Sequence, residues 1–145
     1  MPDFIVTPTL RVAYESGGRR EVGQLSCCMA GRTIRAPTTR SHRHCRAKAF
    51  ATIVPFLRGF GATSFLSKDG MRSGEMVAMA QDALDVADAL KLDRFAVVGY
   101  DWGARIAYAM AILWPERVSR ICAMSVGWQP GELPTPGFEQ VRKYW

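Results

Sequence analysis

The sequence predicts an α/β fold in which a mostly parallel sheet is flanked by helices, and three stretches carry that expectation. Residues 94–105, RFAVVGYDWGAR, pass from an apolar β-rich run, Phe95 to Val98, through a tight turn into a helical pattern from Ala104 to Leu113. Upstream, Ala51 to Val54 is a short apolar strand closed by Pro55. Between the two, residues 73–90 carry apolar side chains at helical spacing.

In chain order, Phe4 to Thr7 and Leu10 to Tyr14 form two strands joined at Thr7-Pro8, with Leu10, Val12 and Tyr14 on one face and Arg11 and Ala13 on the other. Ser16-Gly17-Gly18 marks the next turn. After the strand at Ala51, Arg58-Gly59-Phe60-Gly61 is a turn-rich loop at the strand's carboxyl end. Arg58 there either faces a substrate or satisfies loop carbonyls, and the second role is preferred. Ser73 is the expected N-cap of a helix to Leu90. Its inner face is Val77, Ala80, Leu84 and Ala87. Asp82 and Asp85 point to solvent, with Asp88 at the edge, and this is a solvated surface in preference to a metal site. Met76 and Met79 are ordinary helix and core residues.

After the turn at residue 101, Ile106, Ala109, Met110 and Leu113 line the inner face of a second helix, which Pro115 ends. Val118 to Val126 holds another strand, with Cys122 as a small buried residue. Residues 127–137 form a Gly- and Pro-rich loop, followed by the start of an amphipathic stretch.

The chemistry concentrates at Asp101. Gly99 and Gly103 flank it at i−2 and i+2, where a sharp strand-to-helix turn needs residues without a Cβ. Such a turn presents the carboxylate at the carboxyl end of a sheet strand, where open α/β sheets bind ligands. The helix behind it supplies amide N–H groups and the positive end of its dipole, favouring the ionised, attacking form. A simpler role exists, since Asp is a good helix N-cap and Gly is common in turns. Strand before, helix after and Trp102 beside the acid favour a nucleophile elbow.

GYDWGARIAYAMAILWPERVSRICAMSVGW resembles the elbow, helix and following strand of α/β-hydrolases whose nucleophile is Asp, the epoxide hydrolase and haloalkane dehalogenase branch. ATIVPFLRGFGATSF, the helix at 73–90 and TLRVAYESGG extend the resemblance, which fails between about residues 19 and 49. It implies that Asp101 attacks a carbon of an epoxide or alkyl halide, giving an ester that a His-activated water hydrolyses. The Trp102 backbone N–H is then half of an oxyanion hole, and the Trp102 ring and Tyr100 contact the substrate or leaving group. Tyr100 replaces the His often found at that place. The His base and its acidic partner of such enzymes lie beyond the elbow, after a helical cap. This chain has only His42 and His44, so the expectation is an incomplete α/β-hydrolase core over residues 1–145, cap and C-terminal part absent. Such a chain is inactive or reacts once.

Residues 19–48 are compositionally unlike the rest. They hold eight cations against Glu21 alone, a net charge of +7 where the whole chain has +6, with three of the four cysteines and both histidines. Here EVGQLSCCMAGRTIRAPTTRSHRHCRAKA stands where the family has a buried strand ending in His-Gly, whose following loop gives the second oxyanion amide. The segment shows neither strand nor helix periodicity, and an irregular conformation is expected. Zinc ligation does not fit adjacent Cys27-Cys28 and distant His42, His44 and Cys45. A nucleic-acid arm lacks any aromatic residue to stack on a base, and a disulfide framework has no export signal to accompany it.

A shifted reading frame explains more. If each true codon joins the third base of one residue's codon to the first two of the next, the Cys27–Cys28 junction forces Leu. The Cys28–Met29 junction then permits only Tyr or His, and Met29–Ala30 forces Gly. With suitable wobble bases the junctions from Val22 to Pro37 spell RPVVLLHGWPDDPRA, an apolar strand followed by His-Gly.

Length and composition suit one globular domain, 48% hydrophobic and 22% charged. The N-terminus has no signal-peptide pattern, no apolar run approaches the ~20 residues of a membrane helix, and a cytoplasmic location is expected. The expected partner is a small-molecule substrate, without nucleic acid, membrane, metal or cofactor. Oligomeric state is not legible. The competing reading is a non-catalytic binding protein that holds an anionic partner through the basic segment at 19–48.

Overall fold

The computed structural model describes residues 2–17 and 51–124, with the backbone of 25–30. β1 (Asp3–Val6) and β2 (Leu10–Gly17) form an antiparallel hairpin in which Phe4 faces Ala13. Thr7 closes the hairpin: its N–H and its hydroxyl both donate to the Leu10 carbonyl, and its Oγ1 accepts the Leu10 N–H. β3 (Leu25–Ala30) and β4 (Ala51–Pro55) follow, then the two-residue β5 (Ser64–Phe65). Helix α1 (Met76–Ala89), β6 (Phe95–Tyr100), helix α2 (Trp102–Leu113) and β7 (Val118–Met124) complete the order.

These strands make one sheet in the order β1-β2-β4-β3-β6-β7, with β5 on β2. β4, β3, β6 and β7 run parallel, so their carboxyl ends share one edge of the sheet. β2 runs against them. The expected α/β class, mostly parallel with flanking helices, is the observed one.

The expectation of an irregular segment at 19–49 does not hold for Leu25–Ala30. β3 pairs through its backbone with β4 on one side, from Leu25 to Cys27, and with β6 on the other, from Leu25 to Ala30. A central parallel strand has a hydrogen-bonding neighbour on each edge, and no side-chain alternation is required of it. The basic-arm, zinc and disulfide readings of the segment otherwise fall outside the described residues, as do His42 and His44.

α1 and α2 pack on the same face of the sheet. Their shared core holds Met79, Ala83, Leu84, Phe95, Ile106 and Met110, and a second cluster joins Leu10, Val12, Tyr14 and Ile53 to Val86 of α1. Several side chains depart from the expected faces. Val77 is 55% exposed because it lies in the first turn of α1, ahead of the part wedged against sheet and loop, while Met79, Ala83 and Val86 are buried. Leu113 is exposed at the end of α2, and Ala13 is buried with its N–H donated to the Thr63 hydroxyl. The N-cap of α1 is Glu75; Ser73 lies two residues earlier, its hydroxyl accepting the Glu75 N–H. Cys122 is exposed because β7 has β6 as its only neighbour among the described residues.

The largest correction concerns Asp82, which is buried and not solvated. Arg58 Nε and Nη2 reach its two carboxylate oxygens at 2.6 and 2.7 Å, a bidentate pair. The same guanidinium donates to the carbonyls of Ser73 and Ala78. Arg58 therefore satisfies carbonyls, the role preferred from the sequence, and ties the loop after β4 to α1.

Candidate functional site around Asp101

β6 is the strand that delivers the site. Phe95 and Val97 are fully buried on the helix side, and the strand ends in Tyr100, 45% exposed at the shared carboxyl edge. One residue later the chain enters α2. The bend is held by Asp101, whose φ of 55° and ψ of −115° lie in a region that side-chain-bearing residues seldom adopt. The backbone fixes it there. Asp101 N–H donates to the Met124 carbonyl of β7, and the Asp101 carbonyl accepts the N–H groups of Ala104 at 3.0 Å and Arg105 at 3.3 Å.

Gly99 has the steric role expected of it. A Cβ built on Gly99 would overlap the Gly103 carbonyl and lie 2.6 Å from Ala104 N, so strand and helix could not approach this closely with any other residue at 99.

Asp101 occupies the N-cap position of α2, yet its side chain makes no capping hydrogen bond. The simpler N-cap role is therefore filled by the backbone alone. The carboxylate joins neither of the ion pairs formed among the described residues, Arg58–Asp82 and Arg117–Asp88. Trp102, 41% exposed, is the first residue of the helix. Its N–H belongs to the first turn, whose amides no carbonyl of the helix itself can accept. Tyr100, Asp101 and Trp102 thus stand together at one sheet edge, a partly exposed carboxylate between two exposed aromatic rings.

Sequence reasoning passed over Arg105. Its guanidinium carbon lies 5.9 Å from the centre of the Trp102 ring, four residues after Asp101. The i, i+3 spacing from Trp102 that places it there was available in the sequence. The loop after β3 that would supply a second amide lies outside the described residues. So does any His within reach.

With sheet order, bend and helix in place, the fold is that of the α/β-hydrolases. A family model described as the alpha/beta hydrolase fold matches residues 41–142, and the chain belongs to that family. Over 93 residues it is 30% identical to epoxide hydrolase 3 of Siraitia grosvenorii, covering 64% of this chain and 29% of that protein. A solved structure of a candidate epoxide hydrolase from Klebsiella pneumoniae superposes with a TM-score of 0.80 and 32% identity, over 99% of this chain and 49% of the other. A shorter stretch of 58 residues is 42% identical to a candidate 2-succinyl-6-hydroxy-2,4-cyclohexadiene-1-carboxylate synthase of Bacillus subtilis, covering 40% of this chain and 18% of that protein. The chain thus spans less than a third of the first curated relative and about half of the solved one. No described helix is long and apolar enough to cross a membrane.

Proposed function

We propose that this chain carries the nucleophile half of a hydrolase that opens an epoxide or displaces a halide through an ester on Asp101. The observation that carries the reading is the conformation of Asp101: a non-glycine residue at positive φ, its carboxylate in no ion pair among the described residues, at the carboxyl edge of a parallel sheet. Strain of this kind persists only where the surrounding structure holds it, and a capping role would not need it. Similarity to epoxide hydrolases supports the substrate class, and the second relative shows that family membership alone does not choose the reaction.

In the proposed step a carboxylate oxygen of Asp101 forms a bond to the epoxide carbon as the ring C–O bond breaks. The ring oxygen keeps the electron pair and takes a proton from solvent. In this reading the Trp102 N–H binds the ester's carbonyl oxygen when water later attacks it, and Tyr100 and the Trp102 ring border the substrate. Release requires an activated water. With no histidine among the described residues, the chain is expected to accumulate the ester at up to one equivalent and to turn over little. Intact-mass spectrometry after incubation with styrene oxide checks this: a single adduct on Asp101, absent in Asp101→Asn, is the expected result. Equal adduct in that variant removes Asp101 from the chemistry.

The shifted-frame reading of residues 22–37 belongs to the same proposal. β3 spans Leu25–Ala30, where the out-of-frame junctions spell an apolar strand ending in His-Gly when suitable wobble bases are chosen. The nucleotide sequence across these codons decides it. A shifted frame that does not encode an apolar strand and His-Gly ends the idea; one that does predicts faster ester formation in the frame-restored chain.

A further inference from the structure

We draw no further inference here: the strongest candidate, the exposed apolar patch that Leu66 and Met71 of the loop after β5 form with Met76 and Val77 of the first turn of α1, carries nothing because nothing in the structure shows what covers it.

Discussion

Gly99 decides how closely β6 and α2 approach at the Asp101 bend. The contact is between backbone atoms, which cannot swing aside as a long side chain can. Gly99→Ala is therefore expected to destabilise the chain by about 3 kcal/mol or more, among the large single-residue effects. A urea midpoint within error of wild type would mean that strand and helix can separate freely, and the bend would lose its explanation. The strand–turn–helix at Asp101 was legible because everything that defines it is local: strand, glycine, acid, glycine, helix within ten positions. The positive φ of Asp101 and the lack of a capping bond were not legible, and the hydrogen bond from Asp101 N–H to the Met124 carbonyl that accompanies them comes from more than twenty residues away.

Among the elements, α1 is held by its apolar face and also tied to the loop after β4 by the Arg58–Asp82 pair. Burial pushes the Asp82 carboxyl above the usual carboxylate range, the hydrogen bond from Arg58 working against that rise. The Asp82 bond in turn raises the Arg58 guanidinium. Leaving that carboxylate without its partner is costly: Arg58→Met is expected to lose about 2 kcal/mol, below the range for fully buried pairs because the side chains keep 12% and 11% exposure. Asp82→Asn leaves the Arg58 guanidinium, equally little exposed, with a neutral hydrogen-bond partner in place of its counter-ion, and is expected to cost about 1–2 kcal/mol. The pH dependence follows from the sign of the shift. A carboxyl raised in the folded state binds its proton there at higher pH than in the unfolded chain, where it titrates near ~3.9. The stability contributed by that protonation is complete below about pH 4 and is lost as pH rises through the raised folded value. Wild type should therefore lose ground to Asp82→Asn across that interval. Urea denaturation of both chains from about pH 3 to about pH 7 checks it, and a wild type that gains on the variant as pH rises contradicts it. A helical wheel placed Asp82 on the wet side of α1 because it counts the faces of one helix. It cannot see a loop folded over that face.

The sheet runs, among the described residues, from the β1–β2 hairpin at one side to β7 at the other. Among the described residues β7 ends the sheet, and Ile121 and Met124 are 41% and 39% exposed on it. Arg120 is its only charged side chain. An edge strand with apolar side chains and one charge is a template for pairing with another chain. The chain as given should therefore associate with rising concentration, and Ile121→Lys should shift that association to higher concentration, which light scattering measures. Scattering that is unaltered by the substitution would place the association elsewhere.

The sequence by itself determined the α/β class, the strand–turn–helix at Asp101 and the glycine at 99 that permits it, because these follow from periodicity and steric demands within a dozen residues. Only the tertiary structure decided that Leu25–Ala30 is a central strand, that Asp82 is buried beneath Arg58, that Cys122 is exposed, and that Arg105 lies beside the Trp102 ring. Each of these depends on a neighbour brought close by folding. A strand accepted for the hydrogen bonds on both its edges leaves no periodic trace in its own side chains, and neither does a carboxylate buried by a distant arginine.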